Sequence, residues 1–290
     1  MPRRQQRTIA KPVSITGFGF WTGPDVNVRL RPAPSDTGLV FVRQDVIPPR
    51  RIPARAEYRV ESLRRTSLGR GEVRVEMVEH ILAALAGLRV DNCEIWVDAA
   101  EMPCGDGSSK DVVEAILQAG VVEQNTLRDE LTIMRPIRVG DDQCWIEARP
   151  AHQRGLHLCY DLDFGTGHTI GRQQLQVTLD PDVFCYQLAT ARTFIMKGEA
   201  DMMRANGIGL RTTYQNLLVF DDHGPIENQL RFPDECVRHK TLDLVGDLAL
   251  ANCDIHGEIH AYRSGHRLNA ELVWRLLESH AVSRIFRYSA

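Results

Sequence analysis

The chain has 290 residues, 43% of them hydrophobic and 25% charged, which is typical of a globular protein long enough for two domains. Its formal net charge of -3 gives no electrostatic case for binding nucleic acid. The basic start lacks an apolar stretch, so no secretory signal is expected, and the longest apolar run, 81–88, is too short to span a bilayer. Seven scattered cysteines without a CxxC pair indicate reduced thiols. We therefore expect a cytoplasmic protein with at most peripheral membrane association.

The first half of the chain predicts short strands followed by helices. Residues 26–30 alternate apolar and polar side chains, as a half-buried strand does. Residues 73–88 are rich in helix-forming Ala, Leu, Met and Glu, and Gly87 stands where such a helix can end. In chain order we predict a meander of strands at 13–20, 26–30 and 38–42, a helix at 73–88, a strand at 92–97, a tight loop at 101–109 and a helix at 111–119.

An acid and an imidazole stand side by side within the predicted helix at 73–88. Glu79 and His80 are flanked by apolar residues and are therefore expected to be buried. Desolvating either group alone is costly, so both need partners. A lone histidine in such a place is more often a satisfied core residue than a metal ligand.

The second half repeats this coarse plan. Residues 121–129 look polar and irregular, and we predict the boundary between two domains there. The shared plan suggests an internal duplication, although no sequence identity between the halves is evident. We predict strands at 131–139, 145–149 and 156–164, helices at 180–188 and 199–205, a strand at 217–221, a helix from 234, a strand at 258–262 and a last helix after 266.

The segment 232–269 carries an unusual polar stripe on its predicted helix. His239, Asp243 and Asp247 are spaced four apart and therefore lie on one helix face. One interpretation is a pair of metal ligands with an outer partner. The other is an ordinary surface stripe, and the helix alone does not decide between them.

Several segments point together to one family. They are RPAPSDTGLVFVR (31–43), VEHILAALAGLRVDN (78–92), EMPCGDGSS (101–109), ARTF (191–194), DECVRHKTLDLVGDL (234–248) and AYRSGHRLN (261–269). In this order they resemble the zinc-dependent UDP-3-O-acyl-N-acetylglucosamine deacetylases of lipid A biosynthesis. The resemblance covers nearly the whole chain and is more specific than any single short motif.

The resemblance implies a metal site made of His80, His239 and Asp243. Three protein ligands leave a further position free, as in catalytic zinc sites. The mixed nitrogen and oxygen ligands suit Zn2+, and Fe2+ also fits. Glu79 matches the general base that takes a proton from the attacking water.

The resemblance also implies the remaining site residues. His266 would act as a cation that stabilises developing charge or protonates the leaving amine, and Asp247 would keep it charged. Thr193 would donate a hydrogen bond to the oxyanion. The residues assigned to substrate binding are Lys240, facing the diphosphate, Phe164, near the nucleotide, and Phe194.

The implied protein is an α+β hydrolase of two α/β sandwich domains, each a small mixed sheet packed with helices, with the metal at their interface. The domains would span 1–126 and 127–290, with an acyl-chain-binding insert near 194–219. The implied substrate is a UDP-linked acylated amino sugar, from which the enzyme removes the N-acetyl group as acetate. The alternatives are a non-catalytic UDP-sugar or lipid-precursor binding protein and a deacetylase of a related acylated sugar.

Three places depart from the family's pattern. Trp21 stands where a histidine is usual, the run 163–168 lacks the usual His-Pro, and 209–213 replaces a glycine-rich stretch of the insert. The metal and acid-base positions are intact, so these departures concern substrate fit. We expect Arg211, in the altered stretch, to narrow the acyl passage.

Overall fold

The structure is a computed structural model that describes residues 3–288, with side chains for residues 3–281. It is an α+β protein in which small mixed sheets pack with helices. The elements of the first half are β1 (Gln5–Ile9), β2 (Val13–Phe18), β3 (Asp25–Pro32), β4 (Leu39–Arg43), β5 (Arg50–Pro53), β6 (Arg59–Val60), β7 (Ser67–Arg70), β8 (Val73–Glu76), α1 (Glu79–Gly87), β9 (Cys93–Val97), α2 (Lys110–Ala119) and β10 (Val121–Leu127).

The second half has its own mixed sheet, a smaller three-stranded sheet and four helices among the described residues. Its elements are β11 (Glu130–Thr132), β12 (Ile137–Gly140), β13 (Trp145–Arg149), β14 (Leu156–Asp163), β15 (Arg172–Thr178), α3 (Pro181–Val183), which continues as a π-turn to Leu188, β16 (Phe194–Met196), α4 (Lys197–Ala205), β17 (Leu218–Asp221), β18 (Gly224–Pro225), α5 (Glu235–Leu248), β19 (Asp254–Tyr262) and α6 (His266–Tyr288).

The main sheets of the two halves have the same topology. The first has the order β2-β3-β9-β4-β5, and the second has the order β12-β13-β19-β14-β15. Along each order, the strand that comes last in the chain pairs parallel to one neighbour, β9 with β4 and β19 with β14, and the other pairings are antiparallel. The short β11 adds a second parallel pairing to β19 in the second sheet. This match supports the internal duplication that the sequence suggested.

The predicted meander of the first half is wrong, because β9 lies between β3 and β4. The alternation itself is confirmed: Val26, Val28 and Leu30 are buried while the residues between them are exposed. Alternation specifies which face of a strand is buried but not which strand lies beside it.

The two halves meet through their helices. In the second half α5 packs on β14 and β15, and α6 packs on β12 and β13. Helix α1 of the first half packs directly against α5. Gly246 permits this close crossing, because a Cβ atom there would lie 2.1 Å from the carbonyl oxygen of Glu79. The crossing brings the start of α1 to the middle of α5.

Three other predicted segments differ from the structure. Residues 73–76 form β8, and the helix begins only at Glu79, because Met77 adopts a left-handed conformation (φ 57°) that separates the two. Residues 121–127 form a strand rather than irregular chain, because β1 supplies an antiparallel partner more than a hundred residues away. The strand predicted at 131–139 is divided into β11 and β12, which pair with different strands.

The insert of the second half is a small unit of its own. The parallel strands β16 and β17 are connected through α4, and Ile195, Leu217 and Val219 form its apolar cluster. Between residues 3 and 288 no helix is long and apolar enough to cross a membrane. The division into domains after residue 126 stays a prediction.

Candidate metal centre

The crossing of α1 and α5 brings three predicted metal ligands together. His80 lies in the first turn of α1, and His239 and Asp243 lie one turn apart on α5. The Nε2 atoms of His80 and His239 are each 3.5 Å from Oδ1 of Asp243. One ligand atom from each residue lies within 4.8 Å of those of the other two. His239 and Asp243 are each 3% exposed, so the polar stripe of α5 is interior rather than an ordinary surface stripe.

The Asp243 carboxylate has one satisfied and one unsatisfied oxygen. Its Oδ2 accepts a hydrogen bond of 2.6 Å from the Lys240 ammonium. Its Oδ1 is buried without a hydrogen-bond partner among the described residues, although it faces both imidazoles. Burial alone raises the pKa of this carboxyl, but Lys240 and His239 lower it well below its usual range. An ionised oxygen in this position fits a divalent cation, because an unpartnered buried charge is otherwise costly.

His239 is held as a neutral imidazole. Burial lowers its pKa to about 4, against the raising effect of Asp243. Its Nδ1 lies 3.1 Å from the carbonyl oxygen of Ala191, which only accepts, so Nδ1 carries the proton. The lone pair of Nε2 is therefore directed at the site, where the Thr193 hydroxyl lies 3.0 Å away.

Glu79 is the buried acid of the site. It is 3% exposed, and its Oε2 accepts a hydrogen bond of 2.9 Å from the backbone N–H of Thr66. Burial raises its pKa, which the nearby His266 and His80 only partly counteract. A carboxylate with a raised pKa is a stronger proton acceptor, as a general base requires.

His266 is held as a cation at the start of α6. Its Nδ1 lies 2.9 Å from Oδ2 of Asp247. Burial lowers its pKa, but Asp247, followed by Asp243 and Glu79, raises it to about 9. Asp247 also accepts hydrogen bonds from the Thr66 hydroxyl at 2.5 Å and from Nδ2 of Asn269 at 2.8 Å. These two bonds fix the carboxylate that orients His266.

Neither Thr66 nor the role of Asn269 was predicted from the sequence. Asn269 stands in the AYRSGHRLN segment, and its spacing from His266 within one helix was the available signal. Thr66 lies in a loop with no motif, so only the tertiary structure brings it to Glu79 and Asp247.

The polar cluster opens into a cleft of about 550 Å3. One part of its wall is apolar and comes from the insert and from the rest of the chain. Another part carries four arginines together with Glu61 and Glu199, of which Glu199 pairs with Arg64 at 2.6 Å. The apolar residues include Phe20, Ile195, Met203 and Leu217, and the arginines are Arg59, Arg64, Arg263 and Arg267. The cleft therefore suits a ligand with an apolar chain and an anionic group.

The structure brings the predicted substrate residues to different places. Lys240 and Phe194 line the cleft. Phe164 is 38% exposed and approaches the cleft only through the ring of Phe194, whose centroid lies 6.1 Å away. Trp21, one of the departures from the family pattern, lines the cleft beneath the Arg65 guanidinium, 4.0 Å from its ring centroid.

Arg211 does not narrow the cleft, so that expectation is wrong. Its guanidinium forms a 2.6 Å ion pair with Asp25 and stacks on the ring of Phe18. The neighbouring Leu210 is 70% exposed. Hydrogen bonding to the loop before β3 directs Arg211 away from the apolar wall.

Comparison with known proteins gives one consistent result. The family described as "LpxC: UDP-3-O-acyl N-acetylglycosamine deacetylase" matches residues 6–278. Proteins named UDP-3-O-acyl-N-acetylglucosamine deacetylase are similar over almost the whole chain. They include those of Psychrobacter arcticus (40% identity, 95% of this chain and 86% of the relative), Shewanella oneidensis (40%, 94% and 89%) and an Anaeromyxobacter species (37%, 98% and 92%).

Proposed function

This chain belongs to the UDP-3-O-acyl-N-acetylglucosamine deacetylase family, and we propose the roles of its residues on that premise. It is a metal-dependent amide hydrolase that removes the N-acetyl group from UDP-3-O-acyl-N-acetylglucosamine and releases acetate, a step of lipid A biosynthesis. The observation that carries the site assignment is the buried Oδ1 of Asp243, which faces two imidazoles and has no hydrogen-bond partner in the part of the chain that the structure describes. This arrangement supports His80, His239 and Asp243 as the metal ligands.

We assign Zn2+ as the metal, with Fe2+ as the second choice. Two imidazole nitrogens and one carboxylate oxygen suit both ions, and neutral His239 is ready to ligate at neutral pH. When bound, the ion supplies Lewis-acid chemistry.

Glu79 is the proposed general base. Its raised pKa and its place beside His80 suit it to take a proton from the water that attacks the acetamide carbonyl carbon. The hydrogen bond from Thr66 fixes one carboxylate oxygen and leaves the other for that proton.

His266 and Thr193 are proposed to act on the carbonyl oxygen and the leaving amine of the substrate. The attack places negative charge on the carbonyl oxygen. The Thr193 hydroxyl can stabilise this oxygen by donating a hydrogen bond to it. The His266 imidazolium stabilises that charge and donates its Nε2 proton to the leaving amine, while Asp247 holds Nδ1. The C–N bond then breaks, giving acetate and the free amine.

The cleft supports a division of the substrate between its walls. Lys240 and the surrounding arginines are proposed to face the diphosphate, and Phe194 and Phe164 the nucleotide end. The ester-linked acyl chain is proposed to lie along the apolar wall formed by the insert and Phe20. Methionine suits such a wall, because its flexible side chain adapts to a chain of variable shape.

The direct test is mass spectrometry of UDP-3-O-acyl-N-acetylglucosamine incubated with the purified protein. We expect loss of one acetyl group per substrate, abolished by a chelator and restored by Zn2+. A substrate that binds but remains acetylated with the metal present would identify a non-catalytic binding protein. Deacetylation of only a related acylated sugar would retain the chemistry but overturn the substrate assignment.

The acyl wall has a separate test, with Arg211 as the matched control. Met203→Trp fills part of the apolar wall, so kcat/KM should stop rising at a shorter acyl chain than in the wild type. Each methylene that binds contributes about 0.8 kcal/mol, roughly fourfold. Arg211→Gly should leave the chain-length profile unchanged. If kcat/KM of Arg211→Gly kept rising to a longer acyl chain than in the wild type, Arg211 would lie in the acyl passage after all.

A further inference from the structure

A second cluster of metal-ligating side chains lies on the main sheet of the second half, on the face opposite α5. Cys159 and Asp161 are two residues apart on β14, and His260 is the parallel register partner of Cys159 on β19. The three side chains therefore project from the same face. Leu158 and Tyr160, which stand on either side of Cys159 in the chain, are buried on the other face, toward the helices.

The ligand atoms of this cluster are close enough to surround one ion. One atom each from Cys159, Asp161 and His260 lies within 4.8 Å of the other two. Nε2 of His260 is already 2.5 Å from Oδ2 of Asp161. Metal–ligand bonds of about 2.0–2.3 Å separate tetrahedral ligands by about 3.3–3.8 Å, so a small side-chain movement completes the set.

The surroundings hold these side chains in place. The Trp145 ring packs edge-on to the His260 ring at 4.9 Å, which restricts the imidazole. The Gln174 amide donates to Oδ1 of Asp161 at 2.5 Å and leaves Oδ2 on the side of His260. Both ligand-bearing strands lie inside the sheet, between β13 and β15, so the backbone that carries the ligands is rigid.

We propose that Cys159, Asp161 and His260 form a second metal site that binds Zn2+ or a similar transition-metal ion independently of the catalytic centre. A thiolate, an imidazole and a carboxylate select zinc-like ions over Mg2+ and Ca2+, which require oxygen ligands. His260 is 26% and Asp161 25% exposed at the side chain, so the ion is reached from solvent and water completes its coordination.

Binding changes the protonation of one ligand. Burial and the neighbouring Asp161 raise the pKa of the Cys159 thiol, so it is protonated at neutral pH. The S–H bond therefore breaks as the sulfur–metal bond forms, and the proton leaves to solvent. The thiolate and Asp161 together neutralise a divalent ion. His260 and Asp161 could also form a simple ion pair, which does not involve sulfur. Participation of the Cys159 thiol therefore distinguishes a metal site from such an ion pair.

Co2+ titration of the metal-free full-length protein tests this site, because the catalytic ligand set contains no sulfur. We expect two Co2+ ions per chain and a near-ultraviolet thiolate-to-cobalt charge-transfer band. Cys159→Ser should abolish that band and keep the visible absorption of the catalytic ion. The matched control is Cys144→Ser, because Cys144 borders the catalytic cleft and its removal should preserve the band.

A second variant keeps the result decisive if Cys159→Ser does not fold. His260→Ala retains the thiol but removes one ligand. The Co2+ concentration at which the charge-transfer band reaches half of its maximal absorbance should rise by about tenfold or more. Absence of the band in the wild type, its survival in Cys159→Ser, or its loss in Cys144→Ser would each overturn the second site.

Discussion

The groups that face His239 and His266 give these two buried histidines opposite protonation states. His239 loses its charge because burial lowers its pKa to about 4, whereas Asp247 and other carboxylates raise the pKa of His266, which is also largely buried, to about 9. The difference lies in their partners: a carbonyl oxygen faces Nδ1 of His239, and a carboxylate faces Nδ1 of His266. Two histidines in one site are thus suited to a metal ligand and an acid.

The first prediction separates ligand from base. His239→Ala should lose most of the bound metal, whereas Glu79→Gln should retain about one catalytic ion and reduce kcat by about 10²–10⁴-fold, because only the proton acceptor is lost. Metal content by elemental mass spectrometry, with kcat measured on the same samples, checks both. Equal metal loss in the two variants would contradict the division of roles.

The second prediction concerns pH. Activity requires Glu79 ionised and His266 protonated, so kcat/KM should be bell-shaped, falling at high pH as His266 loses its proton near its pKa of about 9. Asp247→Asn removes the largest influence that raises this pKa. The alkaline limb should therefore move to lower pH by about one unit or more. An alkaline limb at the same pH in the variant would remove Asp247 from this role.

At the scale of secondary-structure elements, the crossing of α1 and α5 forms the site. Helix α1 supplies Glu79 and His80, and α5 supplies His239 and Asp243, so the distance between the helix axes sets the distance between the ligands. Gly246 permits the contact with the carbonyl of Glu79. A glycine inside a helix ordinarily costs about 0.5–1 kcal/mol relative to alanine, so this one is retained for packing.

The third prediction uses two helical glycines as a matched pair. Gly246→Ala should destabilise the fold by about 1–3 kcal/mol and lower metal affinity, because the added methyl group forces α1 away from α5. Gly198→Ala on α4 meets nothing within 4 Å and should stabilise by up to about 1 kcal/mol. Denaturant unfolding and metal titration measure both effects. Equal stability changes in the two variants would show that the crossing tolerates a side chain.

At the scale of the whole molecule, an ion-pair network connects the two halves through residues that are far apart in the sequence. The Arg4 guanidinium bonds Asp91 of the first half at 2.7 Å and Asp254 of the second half at 2.6 Å. Asp91 is buried, forms an ion pair with Arg128 at 3.0 Å and accepts a hydrogen bond from the backbone N–H of Arg7. The Arg4 side chain therefore links the first half of the chain to the second.

The fourth prediction compares neighbouring arginines. Arg4→Ala removes the hydrogen bonds that Arg4 donates to Asp91 and Asp254 and leaves Arg128 as their remaining cation. Because Asp91 is buried, this should lower the free energy of unfolding by about 3 kcal/mol. Arg3→Ala removes an exposed ion pair with Asp129 and should change the free energy of unfolding by less than about 1 kcal/mol. Chemical denaturation at moderate salt measures the difference. Equal effects would mean that Arg4 does not couple the halves.

The local features of this protein follow from patterns in its amino-acid sequence. Alternation identified the buried face of β3, helix-forming residues located α2 and α5, and the segments shared with the deacetylase family pointed to the proposed ligands, base and acid. These features depend on neighbours in the chain, or on motifs whose residues appear in order.

Only the tertiary structure decided the features that depend on distant partners. Residues 121–127 form a strand because β1 pairs with them, and β9 lies between β3 and β4 although the chain visits those strands first. Thr66 reaches Asp247 across 181 residues without a motif, and Arg211 points to Asp25 rather than into the passage. Hydrogen bonding and packing between distant segments fix these arrangements, and no local pattern of side chains encodes which distant segment will be the partner.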